Sequence, residues 1–340
     1  MTIAPLDLSR EAEFRALIDG KAKPLGSLGK IEDLAIHLAL IAGRANPSYE
    51  RALLLVFAGD HGLTESGVSA YPSAVTVAMV ATLLAGRASA NAFARAVGAE
   101  VKVVDAGVAA DLAPHPLLID AKVRKGTRNA ALGSAMTGEE VESALARGAA
   151  IARRAKDEGF DILALGEMGI GNTASAALLL HRLGPADLPD CIGPGAGHDA
   201  EGMARKRAVL ETAAARTPVI EPLQVAAEFG GLEILMMAGA ILGAASERVP
   251  VLIDGFIVGA AALLAIRLDT AAADYCIFAH RSAERGHEVM LADLGAEPLL
   301  DLSMRLGEGT GALLALPLVR AAAGLLAEVA GLDDVLAGRL

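Results

Sequence analysis

Cysteine and aromatic residues are scarce in this 340-residue sequence, which has no tryptophan. A chain of this length buries a core large enough to fold without disulfides, and its two cysteines, Cys191 and Cys276, form no CxxC pair. They predict ordinary thiols in a reducing compartment. Residues 1–20 lack a basic segment followed by an apolar core, so no export signal is expected and we predict a cytoplasmic protein.

Basic charge is also in short supply. The formal net charge is -11, no extended cluster of Lys and Arg occurs, and aromatic residues make up 3% of the chain. A nucleic-acid-binding surface needs clustered cations, so this composition argues against one. Small molecules are the ligands that we expect.

Long hydrophobic runs are absent as well, although 54% of the residues are hydrophobic and the mean hydropathy is +0.46. The two most apolar runs, residues 234–245 and 255–266, are twelve residues long each, whereas a membrane-spanning helix needs about 20. Charged residues and a proline separate them. We therefore predict two buried helices that flank a strand, and no membrane association.

Short apolar runs alternate with Ala-rich segments of helix length along much of the chain. The runs cover residues 53–58, 101–104, 162–165, 249–253 and 275–279. Such runs are typical of parallel strands that are buried on both faces of a sheet, and they predict an α/β fold with helices on both sides.

Local signals support the helices between these strands. Thr137 and Glu140 form a capping-box pattern before a helix that we expect to end near residue 156, and residues 75–97 predict a second helix. The segments 11–44 and 313–326 also look helical, but neither alternates with strands. They predict a smaller helical unit built from the two ends of the chain.

Polar residues follow each predicted strand. They are Gly59-Asp60-His61-Gly62, Asp105-Ala106-Gly107, Gly166-Glu167, Asp254-Gly255 and His280-Arg281-Ser282. Ligands of open α/β sheets bind outside the carboxyl ends of the strands, so this pattern predicts a site at that edge. The alternative for each instance is that these residues only turn the chain.

Two glycine-rich loops are candidate phosphate sites. In residues 166–173, Gly169 and Gly171 allow backbone N–H groups to approach an anion at a helix N-terminus, and Asn172 or Thr173 can cap that helix. The alternative is a tight strand-to-helix turn.

The second loop, residues 193–199, contains Gly195 and precedes Lys206, whose charge suits a phosphate monoester. A Lys and Arg run at a helix start is otherwise a solvated face. Ser282 can donate a hydrogen bond to a ribose or phosphate oxygen, or it can have a structural role. Asp60 and His61 lack further ligands at metal-binding spacing, so we predict no metal.

One acid stands out near the end of the chain. Glu308 lies between Gly307 and Gly309, just before an Ala- and Leu-rich helix. Glycines on both sides allow unusual backbone angles and close approach of a ligand, which suits a positioned general acid or base. The alternative is a solvated loop acid.

Six blocks of the sequence, taken together, resemble the nicotinate-nucleotide:dimethylbenzimidazole phosphoribosyltransferase family. The blocks are Lys23-Pro24-Leu25-Gly26-Ser27-Leu28-Gly29, Ala58-Gly59-Asp60-His61-Gly62, Gly67-Val68-Ser69-Ala70-Tyr71-Pro72, the segment from Gly166 to Thr173, Asp254-Gly255-Phe256, and the segment from Arg305 to Gly311. They occur in the expected order between residue 21 and about residue 325.

The resemblance implies an enzyme that makes the lower-ligand nucleotide of cobalamin. It would transfer the 5-phosphoribosyl group of nicotinate mononucleotide to 5,6-dimethylbenzimidazole, without a cofactor, and release α-ribazole 5′-phosphate and nicotinate. A Rossmann-like, mostly parallel sheet would form a large domain of residues 46–285. Residues 1–45 and 286–340 would form a small helical domain, and the enzyme would be a homodimer.

The resemblance also implies roles for particular residues. Glu308 matches the catalytic base, and Glu167 also lies in the site. The nucleotide would be surrounded by Gly169, Gly171, Asn172, Thr173, Gly195, Lys206, Asp254, Gly255 and Ser282. The candidates for the pocket of the entering base are Tyr71, Ser73, Val77, Val80, Met168 and Leu306. The alternatives are a relative that uses another base, such as adenine or a phenol, and a non-catalytic nucleotide-binding homologue.

Overall fold

A six-stranded parallel sheet runs through the computed structural model, which describes residues 2–195 and 197–339. The strands are β1 (Ala52–Gly59), β2 (Glu100–Gly107), β3 (Leu118–Asp120), β4 (Ile162–Met168), β5 (Val251–Ile253) and β6 (Cys276–Phe278). Their order is β3-β2-β1-β4-β5-β6, and every neighbouring pair is parallel. The order reverses between β1 and β4, where open sheets of this kind leave a crevice for a ligand. The α/β fold predicted from the sequence is confirmed.

The five predicted strands are present, and three further strands were not predicted. One is β3, a three-residue strand at the edge of the sheet. The others are β7 (His280–Arg281) and β8 (Leu300–Asp301), which pair with each other in a separate two-stranded sheet. Segments of two or three residues produce no hydrophobic pattern by themselves. Strands β5 and β6 are as short as β3, but each was predicted from a five-residue run, 249–253 or 275–279.

Helices cover both faces of the sheet. They are α1 (Glu11–Asp19), α2 (Lys30–Ala42), α3 (Ala74–Leu84), α4 (Ser89–Val97), α5 (Gly138–Asp157), α6 (Asn172–Leu183), α7 (Leu188–Cys191), α8 (Ala200–Ala215), α9 (Pro222–Phe229), α10 (Leu232–Ser246), α11 (Phe256–Leu268), α12 (Arg285–Asp293), α13 (Thr310–Glu328) and α14 (Leu332–Leu336). The capping box of α5 is confirmed: Thr137 Oγ1 accepts from the Glu140 N–H at 3.2 Å, and Glu140 Oε2 accepts from the Thr137 N–H at 2.8 Å.

The prediction of one continuous helix over residues 75–97 is wrong. Helix α3 ends at Leu84 and α4 begins at Ser89. Between them Gly86 has a φ of +72°, a left-handed conformation that ends a helix. The break matters for the site, because it creates the N-terminus of α4 beside the carboxyl end of the sheet.

The side chains of β1 show how the two layers of helices are held. Leu53, Leu55 and Phe57 pack into one apolar cluster with α5, α6, α10 and α11, whereas Leu54 and Val56 pack into a second cluster with α2, α4 and α13. This alternation is the two-residue period of a strand buried on both faces. Helices α1, α2 and α13, which come from the two ends of the chain, pack against one another. The domain boundaries at residues 45 and 285 stay a prediction.

The apolar helices differ in how far they are buried. The two predicted buried helices are α10 and α11, and nearly all of their residues are shielded from solvent. By length and composition alone, Thr310–Glu328 and Ala74–Val97 would be long and apolar enough to span a membrane. The first is α13, which is largely buried against α2, and the second is divided into α3 and α4. Helix α3 has no charged residue and is partly exposed, so its surface is unusually apolar.

Candidate active site

A cavity of about 330 Å³ opens at the carboxyl ends of β4 and β5. Most of the predicted site residues line it, namely Glu167, Met168, Gly169, Asn172, Thr173, Gly195, Asp254, Gly255, Ser282, Leu306 and Glu308. A smaller cavity of about 50 Å³ shares part of this wall and adds Gly171 and Lys206. The topology therefore brings together residues that are as many as 141 positions apart in sequence, from Glu167 to Glu308.

Glu308 lies on a tight turn that packs directly against β4. Its N–H donates to the Glu167 carbonyl at 3.2 Å. A Cβ at Gly166 would overlap the Glu308 backbone, and a Cβ at Gly307 would overlap the Glu167 carboxylate, so both positions need glycine. The unusual backbone angles expected of the flanking glycines occur at Gly309 (φ +83°) but also at Glu308 itself (φ +66°). A left-handed conformation is disfavoured for glutamate, and such strain clusters at functional sites.

The carboxylate of Glu308 is buried and has a backbone hydrogen-bond donor as its partner. Its Oε2 accepts a hydrogen bond from the Ala90 N–H, in the first turn of α4, at 3.2 Å. Burial raises the pKa of Glu308, and the Ala90 hydrogen bond opposes that rise. A free N–H at a helix N-terminus favours a carboxylate. This arrangement holds a partly desolvated carboxylate at the cavity wall, as a general base requires.

Glu167 has a different environment, although it lies next to the same turn. It is buried at the end of β4 to the same extent as Glu308, and its Oε2 accepts a hydrogen bond from the Asn172 amide. Burial raises its pKa to about 8, and the negative charges of Glu233, Asp254 and Glu308 act in the same direction, against the Asn172 hydrogen bond. Burial and the neighbouring acids thus favour the neutral form of Glu167.

Asp254 anchors the helix that follows Glu308. It comes directly after β5, and its Oδ1 accepts from the Ala312 N–H, in the first turn of α13, at 2.9 Å. Burial raises its pKa, while His280, whose Nε2 lies 3.6 Å from Oδ1, and the helix N–H groups lower it. The carboxylate thus fixes α13 and the turn before it, in addition to lining the cavity.

The turn from β4 into α6 carries Gly169 and Gly171 directly before a helix N-terminus. Gly171, at φ +95°, is the N-cap of α6. The expectation that Asn172 or Thr173 caps this helix is wrong, because no side chain caps it and the Asn172 amide bonds to Glu167 instead. The first turn of α6 thus borders both cavities without a side-chain cap.

Lys206 brings a buried cation to the cavity beside this turn. Its Nζ donates to Thr173 Oγ1 at 3.0 Å and to the Gly193 carbonyl at 2.9 Å, and only 1% of the residue is exposed. Burial lowers its pKa to about 8, and Glu284 opposes this effect. No carboxylate forms an ion pair with Lys206 among the described residues, so its charge is available to an anion at the cavity wall.

Two charged residues of the site were missed by the sequence analysis. Glu284 lines the cavity close to Ser282, and burial raises its pKa against the charge of Lys206. Arg305 also lines the cavity and donates to the Gly195 carbonyl at 3.0 Å, and its charge lowers the pKa of Glu284. Arg305 lies within the block from Arg305 to Gly311, and Glu284 follows the predicted His280-Arg281-Ser282 segment by two residues, so proximity to Glu308 and Ser282 was the available signal. The hydroxyl of Ser282 accepts from the Glu284 N–H at 3.3 Å.

The predicted base-pocket residues do not all meet at the cavity. Met168 and Leu306 line it, together with the apolar side chains of Ile170, Phe256, Ile257 and Val258. The other four, Tyr71, Ser73, Val77 and Val80, are absent from its wall. Tyr71 is half-exposed, and Val80 is completely buried in the core. The assignment of these four residues to a base pocket stays a prediction.

His61 has a carboxylate and a hydroxyl as its partners. It forms a buried pair with Glu233 and a hydrogen bond with Ser175, whereas Asp60 accepts from the Ala109 N–H through Oδ2. Within residues 2–195 and 197–339, no three His, Cys, Asp or Glu side chains converge as they would around a metal ion.

Comparison with known proteins identifies the family. A family model described as phosphoribosyltransferase matches residues 3–335. The nicotinate-nucleotide–dimethylbenzimidazole phosphoribosyltransferase of Cupriavidus necator is 50% identical over 96% of this chain and 95% of its own length. The enzyme of the same name from Deinococcus radiodurans is 48% identical over 98% of this chain and 93% of its own length.

Solved structures agree with the sequence relatives. The crystal structure of CobT from Thermus thermophilus superimposes with a TM-score of 0.93 at 45% identity, and covers 96% of this chain and 98% of that one. A structure of nicotinate-nucleotide–dimethylbenzimidazole phosphoribosyltransferase from the same organism has a TM-score of 0.90 at 44% identity and covers 98% and 99%. The chain belongs to the nicotinate-nucleotide–dimethylbenzimidazole phosphoribosyltransferase family.

Proposed function

We propose that the protein transfers the 5-phosphoribosyl group of nicotinate mononucleotide to 5,6-dimethylbenzimidazole, with Glu308 as the general base. One observation carries this proposal: the buried carboxylate of Glu308 and the proposed anion site at Lys206 and α6 border two cavities that share part of their wall. A mononucleotide has its phosphate at one end and its reacting carbon at the other. Lys206 and α6 would bind the phosphate end, and Glu308 would lie at the end with the reacting carbon.

The leaving group explains why one base is enough. Nicotinate mononucleotide carries its ring as a pyridinium, so the C–N bond breaks with the electron pair moving to the ring nitrogen, and the ring leaves without needing a proton. Glycosidases differ, because their leaving oxygen must be protonated and they need a second carboxyl group for that purpose. No general acid is required here.

In this proposal Glu308 accepts a proton from the entering 5,6-dimethylbenzimidazole. One nitrogen of 5,6-dimethylbenzimidazole attacks the anomeric carbon as the bond to nicotinate breaks. The other nitrogen then carries an acidic proton, which passes to the Glu308 carboxylate. Displacement from the opposite face converts the β-nucleotide into an α-product. A carboxylate with a raised pKa is a stronger base than a solvated one, and this suits proton transfer near neutral pH.

Glu167 acts as a neutral group in this proposal. If Glu167 were ionised, its negative charge would stabilise the positive charge that develops on the ribose in the transition state. Its pKa of about 8, raised by burial, keeps it mostly protonated at pH 7. We assign it the role of a hydrogen-bond donor, which leaves Glu308 to accept the proton.

The other predicted site residues can be assigned to the phosphate, the ribose and the entering base by their chemistry. Lys206 and the N–H groups around Gly169, Gly171, Thr173 and Gly195 would hold the phosphate. The ribose would lie near Asp254, Gly255 and Ser282. The flat entering base would lie against Met168, Leu306 and their apolar neighbours, because such pockets are mostly apolar with a few polar contacts.

We also propose a cytoplasmic homodimer whose chain divides at residues 45 and 285 into a large sheet domain and a small helical domain. The charge-free and partly exposed surface of α3 supports the dimer, since exposed apolar patches mark interaction surfaces. Helix α3 lies directly before α4, whose Ala90 N–H donates to the Glu308 carboxylate. An interface on α3 would therefore lie close to the site.

An acceptor panel tests the reaction. The purified protein is incubated with nicotinate mononucleotide and either 5,6-dimethylbenzimidazole, adenine, a phenol or no acceptor, and the products are separated by chromatography. We expect α-ribazole 5′-phosphate and an equal amount of nicotinate with the benzimidazole. Products only with adenine or the phenol would reassign the base. Mononucleotide binding without release of nicotinate under any condition would refute the transferase.

A further inference from the structure

A histidine joins two loops that line the smaller cavity, and the chemistry proposed above does not use it. His198 lies in the loop before α8, residues 193–195 and 197–199, and Val68 lies in the loop before α3, residues 67–73. His198 Nε2 lies 2.8 Å from the Val68 carbonyl oxygen. A carbonyl can only accept, so Nε2 is the donor of this hydrogen bond. Both residues line the cavity of about 50 Å³ at the first turn of α6.

The imidazole ring of His198 packs against the first turn of α8. A Cβ at Gly202 would lie 2.5 Å from His198 Nδ1 and 3.1 Å from its Cγ, so the ring occupies the space that a side chain at Gly202 would need. Asp199 caps the same turn, because its Oδ1 accepts from the Gly202 N–H at 2.8 Å. The helix therefore holds one side of the ring, and Nε2 reaches the Val68 carbonyl from the other.

The acceptor of this hydrogen bond belongs to a well-anchored part of the loop before α3. Val68 is buried and packs into the apolar cluster that contains α5, α6, α10 and α11. Before it, Gly67 packs against α8, since a Cβ there would lie 3.1 Å from Arg205 Cδ. After it, Ser69 Oγ accepts from the Tyr71 N–H at 3.2 Å. The Val68 carbonyl is thus a fixed point to which the loop before α8 is attached.

The loop before α8 is rich in glycine, and two cations hold its beginning. Lys206 Nζ donates to the Gly193 carbonyl at 2.9 Å, and Arg305 Nη1 donates to the Gly195 carbonyl at 3.0 Å. Gly195 and Gly197 have positive φ values, +56° and +110°. Glycine loses more conformational freedom on ordering than other residues, so fixing this segment costs entropy. The histidine adds a third attachment at the other end of the loop.

We propose that His198 is a positioning residue for the phosphate of the nucleotide. By attaching the loop before α8 to the Val68 carbonyl, it holds Pro194 and Gly195 at the wall of the small cavity before the nucleotide binds. A wall that is already ordered strengthens binding, because less conformational entropy is lost when the ligand arrives. The inference rests on the phosphate site proposed at Lys206 and α6. His198 lies outside the six blocks that resemble the family, so the resemblance assigns it no role.

The variant His198→Ala tests this role with ribose 5-phosphate, a probe that carries the phosphate and the sugar but no ring. Alanine removes the donor and leaves the Val68 carbonyl without this partner. We expect the Kd of ribose 5-phosphate, measured by isothermal titration calorimetry, to rise by about 5- to 10-fold. The KM for nicotinate mononucleotide should rise by a similar factor. The kcat should change by less than about twofold, because the hydrogen bond does not involve Glu308.

Two further variants separate the hydrogen bond from the bulk of the ring. In His198→Gln the side-chain amide can donate to the Val68 carbonyl, so the Kd of ribose 5-phosphate should stay within about twofold of the wild-type value. Gly202→Ala keeps the histidine but displaces its ring, and it should raise the Kd as His198→Ala does. Alanine suits a helix, so Gly202→Ala also provides the test if His198→Ala fails to fold. Equal losses in His198→Gln and His198→Ala would overturn the inference.

His37→Ala is the matched control. His37, on α2, is partly exposed like His198, and its Nε2 bonds to the Asp274 carbonyl at 2.7 Å, but it lines neither cavity of the site. Its loss should lower the midpoint of denaturant unfolding and leave the Kd of ribose 5-phosphate unchanged.

The calorimetric readout also separates the inference from the proposed function. If His198→Ala behaves like His37→Ala, with lower stability but an unchanged Kd, the role of His198 is only structural and the inference is overturned. The transferase proposal survives that result. A wild-type protein that does not bind ribose 5-phosphate would instead overturn the phosphate site and the inference together.

Discussion

Glu167 and Glu308 are two acids of one site whose surroundings separate their chemistry. The two residues are equally buried, but Glu308 accepts a hydrogen bond from a helix N-terminus, whereas Glu167 is surrounded by other acids. The first environment supports the carboxylate, and the second supports the neutral acid. Pairs of acids whose environments push their pKa values apart commonly divide the roles of base and acid in this way.

At the residue scale, Lys206→Met tests the anion site. Methionine retains much of the length of the side chain but loses the charge and both hydrogen bonds, to Thr173 and Gly193. We expect the KM for nicotinate mononucleotide to rise by about 10- to 100-fold, with a smaller effect on kcat, because charge-assisted hydrogen bonds contribute about 1.5–3 kcal/mol. Steady-state kinetics with the nucleotide as the varied substrate measure both constants.

Lys102→Met provides the control for that experiment. Lys102 is on β2 and pairs with Glu158 at the other end of the sheet, so its loss should leave the KM unchanged. An unchanged KM in Lys206→Met would remove this lysine from the phosphate site.

Single residues of the site were predictable only where the sequence marks them locally. Glu308 stands out because glycines flank it, and Glu167 because it follows an apolar run. The partners that set their properties, Ala90 and Glu233, carry no such mark. Ala90 is one alanine among many in an Ala-rich segment, and Glu233 lies 66 positions from Glu167. Their roles arise from the tertiary fold.

At the element scale, the decisive contact is between β4 and the turn before α13. Gly166, on β4, lies so close to the Glu308 backbone that any side chain at this position would collide with it. The turn is also held by the Glu308 N–H bond to β4 and by Asp254 at the start of α13. The carboxylate of Glu308, the proposed general base, is thus positioned by a strand and two helix termini, which are more rigid than a free loop.

Gly166→Ala tests that contact. The added methyl group should push the turn away from β4 and displace the Glu308 carboxylate. We expect kcat to fall by about 10²-fold, since a displacement of about 1 Å can have that effect, and the free energy of unfolding to fall by about 1–3 kcal/mol. Kinetics and denaturant unfolding of the same preparation measure both quantities.

Gly138→Ala is the matched glycine substitution. Gly138 is in the first turn of α5, has a negative φ, and has open space where its Cβ would lie. Alanine there should leave kcat unchanged and should not destabilise the protein. A normal kcat in Gly166→Ala would show that the close approach of the turn to β4 is not needed for activity.

The strands and helices were predictable where their sequence patterns, such as an apolar run or a capping box, extend over several residues. The apolar runs of β1 and β4 and the capping box of α5 were sufficient. Strands β3, β7 and β8 are too short to show a period. The break between α3 and α4 was missed because Gly86 is a single glycine in an otherwise helix-forming, Ala-rich segment.

At the scale of the whole molecule, the parallel strands and their order place the residues of the candidate site together at the carboxyl ends of the strands. All six strands of the main sheet are parallel, so their carboxyl ends lie on the same side, and the order reverses beside β4. Alternating strands and helices in the sequence predicted this class of fold, and the resemblance implied its Rossmann-like form. The strand order and the two-stranded sheet come from long-range pairing, which single-strand patterns do not encode.

The proposed homodimer is tested by measuring the mass of the protein in solution. With a chain mass of 34.6 kDa, the proposed homodimer should elute with twice that mass in size-exclusion chromatography with light scattering. If the apolar surface of α3 forms the interface, Ala78→Glu and Ala81→Glu should shift the mass toward the monomer, because both residues are exposed on α3. A wild-type protein that stays monomeric at micromolar concentration would contradict the dimer.

The most direct test of the mechanism is the rate of α-ribazole 5′-phosphate formation by Glu308→Gln. Glutamine keeps the size of the side chain but is not a base. With Glu308 as the general base, turnover should fall by at least about 10²-fold while the affinity for nicotinate mononucleotide stays close to that of the wild type. A variant that binds the nucleotide normally and turns over at the wild-type rate would show that Glu308 is not the general base.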